Sequence, residues 1–326
     1  MIQKFFGPGG VMKAHLSCLI LAALLETGSS SAQLSCPTSA PVIAFSGNRT
    51  EILTVNDFRA TAKGYEISIR AVDPPPAARR ILFVLDRSRS MTSSKLLVDQ
   101  AVGEALSAVP VDDTVAFLVF AGQDSKQTDF MNLGPLKERL PEILTWKPVS
   151  KSNGPDTPLW DNIGRALQML TPHRRGDVII VISDGDNNSG RLSRVDVQDE
   201  LVRAGVPVLA VIKSDPYAAT PQEKAGPTFL SIFAKATGGG VSQMQGQLNS
   251  PGQLILQLEH QYTLELEVTP TRGWVQPAQK IQNWQLSLSS PLRKSISLSY
   301  PSSLYPCAAS AGNASNERRE ALRPKG

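Results

Sequence analysis

Four uninterrupted apolar runs constrain the fold more than anything else in this chain: ILFVL (81–85), TVAFLVF (114–120), DVIIVIS (177–183) and PVLAVI (207–212). A strand with one wet face alternates polar and apolar side chains. A continuous run suits a strand covered on both faces, as in the centre of a parallel sheet. Amphipathic segments lie between the runs. In SSKLLVDQAVGEALSAV (93–109), Val98, Ala101, Val102, Ala105, Leu106 and Val109 recur at three- and four-residue steps and share one helical face. Further helical patterns are LKERLPEILTW (136–146), LWDNIGRALQML (159–170), SRVDVQDELVRAG (193–205), TFLSIFAKATG (228–238) and QLILQLEHQY (253–262). Gly205 and Gly238 mark helix stops, and Pro141 either kinks its helix or stands in its first turn. Strand and helix in alternation predict an α/β domain with a doubly wound, mostly parallel sheet, whose ligands bind at the carboxyl ends of the strands.

The flanks read differently. APVIAFSG, EILTVNDF and YEISIRAV upstream are short strand patterns. Downstream, YTLELEVTP, KIQNWQLSLS and SISLSYP alternate apolar and polar residues, as half-exposed antiparallel strands do. Pro74-Pro75-Pro76 is a stiff linker into the α/β domain. The predicted organisation is a leader over 1–32, an N-terminal β segment over 37–76, the α/β domain over 78–260, and a C-terminal β segment over 261–307 that pairs with the N-terminal one. A disordered tail over 308–326 completes it.

The leader rests on Lys13 ahead of the apolar run Leu16–Leu25, followed by Ser30-Ser31-Ala32, the layout of a secretory signal. Met12 is a possible alternative start. The run is about half of the ~20 apolar residues that span a bilayer, so no permanent membrane span is expected after cleavage. The implied location is secreted, periplasmic or cell-envelope. Cys18 would leave with the leader, so Cys36 and Cys307 remain, and an even pair in an exported chain favours a disulfide over two free thiols. Such a bond would bring the two ends of the mature domain together. A lipid-anchored Cys36 is a weaker alternative, since QLSC is a poor lipobox. The net charge of +4 over 326 residues, without a basic stripe interleaved with aromatics, argues against a nucleic-acid partner.

The chemistry-bearing residues sit at strand ends. ILFVL runs into Asp86, Ser88 and Ser90; DVIIVIS runs into Asp184; and GPDTPLWDNI places Thr157 just before a helix. In a parallel sheet these points fall on one rim. Two carboxylates and three hydroxyls make an all-oxygen set suited to Mg²⁺, Mn²⁺ or Ca²⁺ rather than zinc. Asp156 is a further charge near this rim. Asp186, Asn187 and Asn188 are expected to shape the turn after Asp184, and Asp161 and Asn162 to cap or pack the helix start. The sequons at Asn48, Asn187 and Asn313 are read as chance.

DRSRS, DTPLWDNI and ISDGDNNSG resemble, in order and in strand context, the metal-ion-dependent adhesion site of von Willebrand factor type A domains. The resemblance covers roughly residues 78–260. The flanks resemble a bacterial exported family of related proteins, in which an LTxxDF segment precedes the domain and a TGG turn and a QY-plus-strands segment follow it. Here these are LTVNDF (53–58), Thr237-Gly238-Gly239 and Gln261-Tyr262. The resemblance implies that Ser88, Ser90 and Thr157 offer hydroxyl oxygens to the cation, with Asp86 and Asp184 holding it directly or through water. It also implies a protein partner that presents Asp or Glu, bound without turnover. Arg89 stands where the family usually has a small residue, and Arg87 adds a second cation; both are expected to point into solvent, the alternatives being repulsion that weakens metal affinity or attraction of an acidic ligand. A structural envelope scaffold with a degenerate site is the alternative function, and a metal-dependent hydrolase a weaker one. The three loops contain no histidine to act as a base, and Ser88 and Ser90 lack a GxSxG elbow.

Overall fold

The computed structural model describes residues 35–46, 52–148, 156–214, 220–244, 250–271, 280–289 and 292–307. The expected leader, the tail, and the sequons at Asn48 and Asn313 lie outside the described residues. Upstream strands are β1 (Cys36–Phe45), β2 (Phe58–Thr61) and β3 (Tyr65–Asp73). EILTVNDF contributes only its last residue to a strand: Val55–Asp57 is a 3₁₀ turn closed by Thr54, whose N–H donates to the Asp57 carboxylate at 2.8 Å.

The α/β core runs β4 (Arg80–Asp86), α1 (Lys95–Ser107), β5 (Thr114–Ala121), β6 (Asp124–Gln127), α2 (Leu133–Leu144), α3 (Leu159–Met169), β7 (Val178–Ser183), α4 (Arg194–Ala204), β8 (Val208–Ile212), α5 (Pro221–Ala236), β9 (Val241–Gln243) and α6 (Pro251–Leu256). Its six strands are ordered β6-β5-β4-β7-β8-β9. All neighbours are parallel except the β5–β6 edge pair. The continuous apolar runs now have their reason. Along β4, Ile81, Phe83 and Leu85 face a core shared with α1, α2 and α6. Leu82 and Val84 face a second core shared with α3, α4 and α5. Phe83 and Phe117, paired in register, stack with centroids 5.0 Å apart. Truncating such a ring costs about 3–5 kcal/mol.

Two helices differ from their expected limits. α5 begins at Pro221, seven residues before the predicted start, with a capping box between Thr220 and Glu223. The segment 253–262 is not one helix: α6 ends at Leu256, a 3₁₀ turn covers Gln257–His260, and Gln261 opens the next strand. Pro141 lies inside α2.

The downstream strands are β10 (Gln261–Pro270), β11 (Ile281–Gln282), β12 (Gln285–Leu288), β13 (Ser297–Ser299) and β14 (Ser303–Leu304). β10 lies between β1 and β3, antiparallel to both, with β13 on the far side of β1. Tyr262, Leu264, Leu266 and Val268 of β10 turn inward, while the intervening Thr263, Glu265 and Glu267 are half-buried. β12 pairs with β2, and β11 with β14, in two further small antiparallel sheets whose buried residues share one apolar cluster with β1 and β10. Cys36 and Cys307 are bonded, with Cα atoms 4.9 Å apart. Among the described residues no helix is long and apolar enough to cross a membrane.

Candidate functional site at the carboxyl edge of the sheet

Asp86 ends β4 at the centre of the sheet and is fully buried. Both carboxylate oxygens are engaged: Oδ1 accepts the Ser88 N–H at 2.8 Å, and Oδ2 accepts the Ser183 hydroxyl at 2.7 Å. The first bond turns the chain sharply, so that Ser88 Oγ lies 3.1 Å from Ser90 Oγ. A 3₁₀ turn over Arg89–Ser94 then leads into α1. Ser88 is buried and Ser90 half-buried.

The Asp184 loop follows β7. Ser183 links it to Asp86, because its Oγ also accepts the Gly185 N–H at 2.9 Å. Asp184 Oδ1 accepts the Asp186 N–H at 3.1 Å. Gly185, at φ 79°, has no room for a side chain: a Cβ there would fall on the Gly226 carbonyl oxygen of α5.

Thr157, buried, is tied to that same loop by its backbone. Its N–H donates to Asn188 Oδ1 at 2.7 Å, and the Trp160 N–H donates to Asn187 Oδ1 at 3.2 Å. Asn188 Nδ2 in turn donates to Asp186 Oδ2 at 3.3 Å. The asparagines therefore do more than shape their own turn; they lace the Asp184 loop to the start of α3. Asp161 acts in the same sense. It accepts the Arg191 and Leu192 N–H groups at 2.9 and 2.7 Å, where the sequence suggested a role at its own helix start. Asn162 does pack there, donating to the Pro158 carbonyl at 2.9 Å.

Burial and the nearby Asp184 charge push Asp86 up to about 7, although its bonds from Ser88 and Ser183 pull the other way. Burial, with the charges of Asp184 and Glu223, likewise raises Asp186. The rim is thus crowded with negative charge in an oxygen-rich setting. Such a setting fits a hard divalent cation, which would relieve the repulsion. Among the described residues no three His, Cys, Asp or Glu side chains group to hold a metal ion. That result is consistent with a set of two carboxylates completed by hydroxyls.

Two residues that the sequence reading passed over join the site. One is Ser183. The other is Lys213, buried, whose Nζ donates to the Ser90 carbonyl at 2.7 Å. Both stand at the carboxyl end of a parallel strand, β7 or β8, and that rule would have found them. The arginines part company. Arg89 is exposed, but Arg87 does not point into solvent: its side chain is 9% exposed and pairs with Asp99 of α1, Nη2 to Oδ1 at 2.5 Å. Asp156 is exposed. His173 lies beside Asp177 and Arg80, at the amino ends of β7 and β4.

No curated protein matches the chain. Solved structures that resemble it include an aerotolerance-related membrane protein from Bacteroides fragilis NCTC 9343, 18% identical, with a TM-score of 0.43, covering 56% of this chain and 98% of that one. BatB from Bacteroides thetaiotaomicron is 18% identical with a TM-score of 0.42, covering 55% of this chain and 98% of its own. A third is proximal thread matrix protein 1 from the mussel byssus, described with a zinc-occupied MIDAS motif. It is 17% identical with a TM-score of 0.42, covering 63% of this chain and 49% of that one. The family profile of the von Willebrand factor type A domain matches residues 81–231, a span that holds the central sheet strands β4 to β8 and all three rim loops. Over residues 81–231 this chain therefore matches the von Willebrand factor type A domain.

Proposed function

We propose that Asp86, Ser88, Ser90, Thr157 and Asp184 hold a divalent cation, Mg²⁺ with Mn²⁺ or Ca²⁺ as alternatives. In this reading the domain uses the cation to bind an Asp or Glu side chain of a partner protein, without turnover. The observation that carries the reading is the pair of buried carboxylates, Asp86 and Asp184, at the carboxyl ends of adjacent parallel strands, with Ser88 and Ser90 in the Asp86 loop and Thr157 tied by its backbone to the Asp184 loop. When bound, the cation supplies residual positive charge and an open position for a carboxylate oxygen. The chain's own residues set the geometry. Ser183 and the Ser88 N–H orient the Asp86 carboxylate. Asn188 fixes the backbone at Thr157. The Lys213 ammonium anchors the Ser90 carbonyl, which holds the turn into α1.

A hydrolytic role would call for a general base besides the proposed ligands, and His173 lies at the opposite edge of the sheet. The apolar run Leu16–Leu25 and the Cys36–Cys307 bond support an exported location. A scaffold with a silent site is the competing reading.

Thermal unfolding with Mg²⁺ or Mn²⁺ at millimolar concentration, against chelator, separates the two. The folded state should gain stability by mass action, and Asp86→Ala should abolish that gain while remaining folded. Partner capture from an envelope fraction should follow the same dependence. Melting temperatures indifferent to both metals, with capture indifferent to chelator, would leave the scaffold reading standing.

A further inference from the structure

We propose that the cleft beside the Ser88 loop is a second acidic subsite, so that this protein selects partner peptides carrying two carboxylates: one for the cation and one for the cleft. The inference rests on the metal-site reading and adds to it the identity of the neighbouring ligand group.

The cleft has a volume of about 560 Å³, room for one or two side chains. Four cationic residues line it, Arg87, Arg89, Lys95 and Lys147, against a single acidic lining residue, Asp156. Arg87 is the unusual member. Its side chain is nine-tenths buried, and only Nη2 is engaged, with Asp99. Nε and Nη1 are buried without any hydrogen-bond partner. Buried guanidinium nitrogens are ordinarily paired, so an incompletely paired one lining a cleft is a charge awaiting an anion.

Its position is fixed by the fold. The Arg87 N–H donates to the Phe120 carbonyl of β5 at 2.8 Å, which holds the residue between Asp86 and Ser88. Ser88 itself lines the cleft, so one short ligand can reach both places. Trp146 and Met91 add apolar wall for the ligand's backbone and methylenes. Basic ligands are repelled by the same four charges, which makes the cleft a filter as well as an anchor.

The test uses labelled, end-capped peptides in fluorescence anisotropy: Asp alone in a glycine frame, Asp followed by Glu after zero to three glycines, and the same series with Lys for Glu. In Mg²⁺, at least one two-acid peptide should bind about tenfold more tightly than the one-acid peptide, a difference a single well-placed charge pair can supply. Lys95→Gln combined with Lys147→Gln, both at exposed positions, should erase that advantage while the Mg²⁺-induced rise in melting temperature stays at its wild-type size. Arg87→Gln should erase it as well. Equal affinities across the peptides, or a preference that survives these variants, would overturn the subsite. Cleft-dependent binding of polygalacturonate without any peptide preference would overturn the peptide assignment. Failure of the metal reading shows separately, as a wild-type melting temperature indifferent to Mg²⁺. The cleft then stands or falls on whether Glu peptides outbind Lys peptides in chelator, with the difference lost in the Lys95/Lys147 variant.

Discussion

Ser183 Oγ donates a 2.7 Å hydrogen bond to Asp86 Oδ2, so the last residue of β7 orients the carboxylate that ends β4. The bond stabilises the charged form of Asp86, which burial and Asp184 disfavour. Ser183→Ala removes that donor and also frees the Gly185 N–H. Residues that orient metal ligands typically change affinity by about 10–100-fold when lost. Ser183→Ala should therefore weaken Mg²⁺ binding by at least about tenfold in a calorimetric titration, with the fold retained. Unchanged affinity would mean that Asp86 does not contribute to cation binding.

The elevation of Asp86 also predicts an unusual pH dependence for the metal-free protein. Its folded value, about 7, lies above that of the unfolded chain, so the folded state binds the proton more tightly. The stability this gives is present in full below the unfolded value and is lost as pH rises through about 7. In chelator the melting temperature should therefore fall from about pH 4 to about pH 7 and level off above that, and Asp86→Asn should flatten that fall. A cation competes with the proton, so the gain from Mg²⁺ should be greatest at pH 8. His173, which burial holds below the usual imidazole range, works in the opposite direction, its contribution being lost as pH falls below the unfolded imidazole value.

Gly185 and Gly226 predict a stability effect that no side-chain contact reveals. The two backbones meet so closely that a Cβ on Gly226 would lie 2.8 Å from the Asp184 carbonyl oxygen, and one on Gly185 would overlap the Gly226 carbonyl. Gly185→Ala adds the strain of a left-handed φ to that overlap. It should cost about 2–4 kcal/mol in urea unfolding. It should also displace Asp184, so the surviving folded protein should lose its response to Mg²⁺. An alanine variant of wild-type stability would show that α5 yields easily at this contact.

The parts of the fold that were legible were those where burial dictates residue type on every position. Phe83 and its neighbours in β4 could not be polar on either face, and the sequence shows it. Edge strands are under no such constraint: β6 is DSKQ and β9 is only VSQ, and neither stands out from a loop. The early start of α5 was hidden because Gly226 and Pro227 look like breakers, while the true signal was the Thr220–Glu223 capping box with Pro221 at its head. The placement of Asp86 and Asp184 at the carboxyl ends of β4 and β7 was readable because continuous apolar runs lead directly into them. Arg87 was not, since its burial depends on Asp99, a helix residue whose proximity only the tertiary fold creates.

The Cys36–Cys307 bond closes a loop with a sequence separation of 271, around nearly the whole described chain. Loop entropy grows only logarithmically, so such a bond is expected to contribute about 2–5 kcal/mol rather than an amount in proportion to its length. The surroundings show which part depends on it. Cys36 begins β1, and its neighbours bind the last described residues: Thr38 Oγ1 donates to the Tyr305 carbonyl at 3.2 Å, and the Cys307 N–H donates to the Pro37 carbonyl at 3.3 Å. The β1–β10 ladder, paired from Cys36 with Val268 to Ile43 with Gln261, does not require the bond once formed. Cys36→Ser with Cys307→Ser should therefore lower the free energy of unfolding by that amount without unfolding the chain at 25 °C. Reductant should have the same effect on the wild type and none on the variant. The Mg²⁺-induced stabilisation should persist in the variant, because the rim loops hang on β4, β7 and α3 and not on the antiparallel sheets. Loss of the metal response with the disulfide would show instead that those sheets and the rim are energetically coupled.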